Sequence, residues 1–201
     1  RCTSLHILQA IPYFITNFKR IDMGTFSCIK TGEDLSWSWN LKLALKKLSS
    51  YEYILLTIED LFLIDKVDNS SLLEVIDSFI EEKGSFLTLI NEPEGNIKHS
   101  NYYMKIGKDK SYRQTATFAL WNREDLISIL DDSENAWEFE KFGVERSRQN
   151  DKFFSVRKSH FKYINTVVKG KWTRKAYFTV KRFGFTPSGQ REVHSIVEFI
   201  Y

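Results

Sequence analysis

Cysteine, proline, histidine and long apolar runs are all scarce in this chain, and each scarcity removes a class of protein. Its two cysteines, Cys2 and Cys28, lack CxxC spacing and are too few for a disulfide framework, so they are expected to be reduced and structural. The longest apolar runs are of the "YILLTI" kind, far short of the roughly 20 residues that cross a bilayer, which predicts a water-soluble chain. His6, His99, His160 and His194 form no HExxH pattern and pair with no cysteine at ligand spacing, which argues against a zinc site. There is no GxSxG elbow for a serine nucleophile and no GxGxxG or Walker cradle for phosphate. No internal repeat or low-complexity segment is present, and the first residues, from Arg1, show neither an initiator Met nor a signal pattern.

What is present is a core. Of 201 residues, 42% are apolar and 15% aromatic, enough to fill one globular domain. The net charge of +3 is unevenly spread: residues 151–191 are rich in Lys and Arg, including "KGKWTRK" and "VKRFGF", whereas 122–145 is acidic. A basic C-terminal third suits an anionic ligand; two solvated faces of opposite sign fit the same pattern. Nucleic-acid binding has this charge in its favour but no recognised motif, and it is not expected.

Residues 10–16 and 25–30 read as strands, the first closed by Asn17 and the second running towards Gly32. Trp37, Leu41, Ala44, Leu45 and Leu48 then share one helical face, with Asp34 as the expected cap. A strand over 51–58 ends in Glu59 and Asp60. A helix follows, opened by a Ser71 to Glu74 capping box and stopped by Gly84. Strands are expected at 85–90, 101–106 and 115–121, helices at 122–132 and 134–143, strands at 153–156 and 163–168, and a helix over about 172–183. Strand and helix alternate through residue 90, so the expected fold is α/β with a mostly parallel central sheet flanked by helices and a mixed α+β C-terminal part. Ligands of such sheets lie beyond the carboxyl ends of the strands, here the loops after Asn17, Lys30, Ile58 and Ile90.

Three stretches could carry chemistry. Glu59 and Asp60 end an apolar strand, where a carboxylate can hold a divalent cation; an exposed turn capped by Asp60 is the structural alternative. Gly32, Asp34 and Ser36 precede a helix N-terminus that favours an anion, and one of Trp37 and Trp39 is expected in the core while the other could stack on a base or sugar. In "ENAWEFEKFGVERS", Glu134 and Glu138 are four apart and share a helical face, whereas Glu140 lies about 200° round from Glu138, so only one of the last two can face a given cleft. The structural alternative is Trp137 and Phe139 as core between solvated acids.

Read in order, "IPYFITN", "IKTGEDLSWSWNLKLALKKL", "YEYILLTIEDLFL", "YRQTATFALWNREDLISIL", "ENAWEFEKFG" and "VVKGKW" resemble nucleotide-sugar-dependent glycosyltransferases of GT-A type associated with lipopolysaccharide and capsule biosynthesis. The resemblance covers about residues 10–197 and implies a GT-A-like, Rossmann-type single domain over 1–201. Within it, 1–91 would be the nucleotide-binding half and 92–201 the acceptor and catalytic half, with the usual first βα unit missing from these residues. It implies an inverting transfer from a nucleotide-sugar donor to a glycan or lipid-linked glycan acceptor, with Glu138 as base and Glu140 the second candidate. Donor contacts fall on Asn17, Gly32, Asp34, Ser36, Trp37, Glu59, Asp60, Arg146 and Lys171. Asp60 would hold a divalent cation, Mn or Mg; because Glu59 and Asp60 are adjacent where a DxD motif spaces its acids, basic groups such as Arg146, Arg148, Lys169 and Lys171 are the alternative diphosphate partners. A cytoplasmic protein, peripheral at the inner membrane face, is implied. The competing class is a non-catalytic carbohydrate- or nucleotide-sugar-binding module of the same fold, using Trp37, Trp121 or Trp172 to stack on a sugar.

Overall fold

The computed structural model describes residues 11–19, 26–187 and 191–194, so Cys2 and His6 lie outside the described residues. In chain order the elements are β1 (Tyr13–Thr16), β2 (Ser27–Lys30), α1 (Trp37–Lys47), β3 (Tyr53–Leu56), β4 (Leu61–Leu63), α2 (Asn69–Glu81), β5 (Phe86–Thr88), β6 (Ile97–Lys98), β7 (Tyr103–Lys105), β8 (Ala119–Asn122), α3 (Arg123–Ile129), α4 (Ala136–Ser147), β9 (Phe153–Val156), β10 (Tyr163–Asn165), β11 (Val167–Val168), β12 (Lys171–Trp172) and α5 (Arg174–Arg182). The fold is α/β. It divides into a first unit, residues 1–57 with 68–159, and a second, 58–67 with 160–201.

In the first unit a six-stranded sheet has the order β3-β8-β5-β9-β7-β6. Only β5 and β9 run parallel; β3 with β8, β8 with β5, β9 with β7 and β7 with β6 are antiparallel. The expectation of a mostly parallel sheet is therefore wrong. Strand–helix alternation predicts parallel neighbours only if no later strand comes between them, and β8 lies between β3 and β5. Parallel pairing is also found in β1 and β2, which form a two-stranded ribbon of their own.

The apolar strands are covered on both faces. Phe86, Trp121 and Phe153 occupy matching positions on three adjacent strands, with Phe86 4.5 Å from Trp121 and 5.2 Å from Phe153 between ring centroids. Phe139 of α4 packs on that face, 6.1 Å from Trp121. On the opposite face Phe79 of α2 meets Tyr53 and Phe154, at 5.7 and 6.3 Å. Each fully buried ring contributes about 1.5–3 kcal/mol, and Phe79, Phe86, Trp121, Phe139, Phe153 and Phe154 have 1% exposure or less. Gly84 is required by this packing rather than by its own conformation, since a Cβ there would meet the Phe79 ring at 2.0 Å.

Two helix starts differ from expectation for the same reason, competition between nearby polar side chains for one cap. α1 is capped by Ser36, whose Oγ accepts from the Trp39 amide at 2.9 Å, while Asp34 turns to the Asn40 side chain. α2 is capped by Asp68, which accepts from the Ser71 amide at 3.2 Å, so Ser71 sits inside the helix instead of opening it.

In the second unit β4 pairs antiparallel with β10, and β11 with β12. The β11–β12 turn is Lys169-Gly170, at φ 48° and 78°, the positive pair that a two-residue hairpin of matching twist demands. α5 starts at the Thr173 cap and ends at Gly184, at φ 82°. No helix among the described residues is long and apolar enough to cross a membrane.

Candidate functional site

Parallel pairing brings the carboxyl ends of β1 and β2 together, as the strand-end rule expects. The Thr31 amide donates to the Thr16 carbonyl at 2.9 Å and the Gly32 amide to the Asn17 carbonyl at 3.0 Å. Gly32 stands at φ 87° with open space where a Cβ would be, so glycine is needed for the turn and leaves room beside it. Two residues on, Asp34 Oδ1 accepts from Asn40 Nδ2 at 2.8 Å. Asn17, Gly32, Asp34 and Ser36 are thus brought to one turn at the start of α1. Among the described residues Asn17 Nδ2 and Asn40 Oδ1 are buried there without a hydrogen-bond partner. A donor and an acceptor left in this way are costly, about 1–3 kcal/mol each, and such groups call for an explanation. Asn40 was missed in the sequence, although a polar residue within the Trp37, Leu41, Ala44 stripe was the available signal.

The start of α1 is tied to the lead-in of α4. Ser36 Oγ donates to the Asp132 carbonyl, the Ser38 amide donates to the Glu134 carbonyl at 3.1 Å, and Lys42 forms an ion pair with Asp132. Trp37 packs on Phe139, with ring centroids 5.5 Å apart. Trp37 is therefore a half-buried packing residue, and Glu138 and Glu140 flank the contact on either side.

Their carboxylates are held differently. Asn135 and Glu138 make a capping box: the Glu138 amide donates to Asn135 Oδ1 and the Asn135 amide to Glu138 Oε2, both at 2.9 Å. Glu140 Oε1 accepts from Thr115 Oγ1 at 2.7 Å and from the Ala116 amide at 2.8 Å, pinning a segment 25 and 24 residues away in sequence. Glu134 precedes the helix and does not share a helical face with Glu138. It is buried and takes both terminal nitrogens of Arg146, which also donates through Nε to the Ile129 carbonyl at 2.7 Å. Arg146, expected at the diphosphate, is a clamp joining α4 to the end of α3. Trp137 is 57% exposed with Lys141 Nζ 5.0 Å from its ring centroid, so only Phe139 of the two aromatics is core.

Glu59, Asp60 and Lys171 belong to the second unit. The Asp60 carbonyl accepts from the amide and the hydroxyl of Thr166, at 2.7 and 2.8 Å, but the carboxylate Oδ1 of Asp60 is buried without a partner among the described residues. Burial, and then the neighbouring Glu59, push the Asp60 carboxyl above its ordinary value. One such oxygen fits a cation that takes its other ligands from a diphosphate and water. Among the described residues no group of three or more His, Cys, Asp or Glu gathers to hold a metal by itself. Because the folded-state value is raised, this group's contribution to stability is full below the unfolded value and is lost as pH rises through the folded one. Asp60→Asn is accordingly expected to raise Tm at pH 7 and to flatten the acid side of the stability profile. A lower Tm for the variant at pH 7 would contradict this. Lys171 pairs with Glu192 at 3.2 Å.

Of the three tryptophans offered for sugar stacking, Trp121 is fully buried, Trp37 packs on Phe139, and Trp172 is half-buried beside Tyr177 at 6.4 Å. Trp121 is thus excluded from that role. The chain matches no protein-family model and no curated protein.

Proposed function

We propose that this protein is a GT-A-like glycosyltransferase that moves a sugar from a nucleotide-sugar donor to a hydroxyl of a glycan or lipid-linked glycan. The observation that supports it most is the junction of α1 with α4, which sets the polar turn of Asn17, Gly32, Asp34 and Ser36 beside a helix bearing two carboxylates. The donor's base and ribose are read at the turn, where Asn17 Nδ2 and Asn40 Oδ1 gain the partners they lack. The acceptor hydroxyl oxygen attacks the anomeric carbon, the bond from that carbon to the diphosphate oxygen breaks with its electron pair staying on the diphosphate, and the hydroxyl proton passes to a carboxylate. Each acid keeps one carboxylate oxygen to take the proton, Oε1 of Glu138 and Oε2 of Glu140; we take Glu140 as the base because a hydroxyl and an amide of a distant segment fix its carboxylate, whereas that of Glu138 caps its own helix.

A thermal-shift screen against nucleotide-sugars, with and without Mn²⁺ or Mg²⁺, tests this. A donor at 100 times its Kd adds about 2.7 kcal/mol of stability. Asn17→Ala should raise the Tm of the unliganded protein, since it removes an unsatisfied buried donor, and should lower donor affinity about tenfold. If no nucleotide-sugar shifts Tm, the proposal fails.

A second reading, a binding module without turnover, is favoured by one observation: Glu138 and Glu140 are both engaged in bonds that hold the fold. Donor binding without transfer, unchanged by Glu140→Gln, would select it.

A further inference from the structure

One surface of the second unit combines cations and bare aromatic rings without an acid. The chain contains no Asp or Glu between Asp151 and Glu192. Within that stretch α5 turns Ala176 and Val180 inward and leaves Arg174, Lys175, Phe178, Lys181 and Arg182 exposed, at spacings of three and four that set them on one stripe. Two of the unit's acids are paired off α5, Asp65 with Lys162 at 2.8 Å and Glu192 with Lys171 at 3.2 Å. Among the described residues the four α5 cations have no acidic partner, although Lys181 Nζ lies 4.4 Å from the Tyr177 ring centroid.

The apolar part of the surface is held in place. The Gly184 amide donates to the Lys181 carbonyl and the Phe185 amide to the Val180 carbonyl, both at 3.0 Å, closing the helix in a Schellman motif. That turn sets Phe183 and Phe185 around Phe62, at centroid distances of 5.6 and 5.9 Å. Even so, Phe178, Phe183 and Phe185 remain 60%, 55% and 60% exposed. Three rings without polar tips, kept in water at the end of a basic helix, are the reverse of what a solvated surface selects.

We infer that α5 and its C-terminal turn dock on a lipid bilayer carrying anionic headgroups. The cations meet the headgroups while the phenyl rings enter the boundary with the acyl chains. Single-stranded nucleic acid would need open ring faces for stacking. Here Phe183 and Phe185 lie against Phe62, and Phe178 meets Tyr177 edge-on at 5.5 Å. The inference does not rest on glycosyl transfer, and its test uses no nucleotide-sugar.

The test is co-sedimentation of the whole chain with vesicles of phosphatidylcholine alone and of phosphatidylcholine mixed with phosphatidylglycerol. Binding to the mixed vesicles, weakened by salt and much lower on phosphatidylcholine alone, is expected. Phe178→Ser should reduce partitioning about tenfold. Lys175→Glu with Arg182→Glu should reduce it at least about 25-fold, from roughly fivefold per cation. All three positions are exposed, so far-UV CD and Tm should stay as in the parent and separate a binding defect from a folding one. The inference is overturned if the anionic vesicles do not bind, if the variants bind as the parent does, or if an oligonucleotide binds with steep salt dependence while the vesicles do not.

Discussion

Under the proposed glycosyl transfer, replacing Glu140 by Gln is expected to lower the rate by about 10²- to 10⁴-fold, the usual weight of a positioned general base. The amide keeps the shape and an acceptor oxygen for Thr115 Oγ1 and the Ala116 amide, so the segment it pins should stay in place. What it loses is the ability to accept a proton at pH 7. Donor affinity and Tm should change little, which separates a catalytic loss from a folding one. Glu138→Gln provides the contrast. An amide at that position can still accept from the Asn135 amide, so the capping box survives in neutral form, and the loss is confined to the interaction of a carboxylate with the helix N-terminus, about 0.3–1 kcal/mol. If Glu138→Gln abolishes transfer and Glu140→Gln does not, the assignment of the base is reversed.

The largest effect on stability is expected at a residue with no part in that chemistry. Arg113 is fully buried; its guanidinium donates to the Ser147 and Asn150 carbonyls and lies 4.2 Å over the Phe153 ring. Ser147 closes α4, so its carbonyl is one of the groups that a helix leaves unpaired, and a cation there also meets the negative end of the dipole. Burial lowers the Arg113 pKa to about 10, which still leaves it charged at pH 7. Arg113→Ala leaves two carbonyls without their charged donor and a cavity against Phe153, a loss of about 3–5 kcal/mol. Urea unfolding at pH 7 measures it, and a loss below about 1 kcal/mol would show that the clamp is not what secures the end of α4.

The two residues differ in how far the sequence announced them. Glu140 was visible as an acid in an aromatic helix, but its partners Thr115 and Ala116 lie in a stretch that reads only as strand. Arg113 gave no signal, because an arginine in a polar segment is ordinarily a surface residue. Arg146 was legible as a cation near the carboxylates and was assigned to the diphosphate. Only the fold shows that Glu134, twelve residues earlier, takes both ends of its guanidinium.

Local order was determined by the chain itself. The periodicity of Trp37 to Leu48, the turn at Gly32, the strand at 153–156 and the presence of a strand within 51–58 all follow from interactions between residues a few positions apart, which sequence spacing reports directly, although that strand stops at Leu56, short of Glu59. Tertiary structure decided the rest. The insertion of β8 between β3 and β5 makes the sheet mainly antiparallel, and it depends on pairing between segments some 30 to 70 residues apart. A continuous apolar strand reads alike in either direction, because burial on both faces removes the alternation that would distinguish them. The fate of the carboxylates was settled in the same way. Glu134, Glu138 and Glu140 have one chemistry and nearly one sequence context, and what distinguishes them is the neighbour that the fold brings to each: a half-buried arginine, the helix's own cap, and a hydroxyl and an amide from the segment that leads into β8.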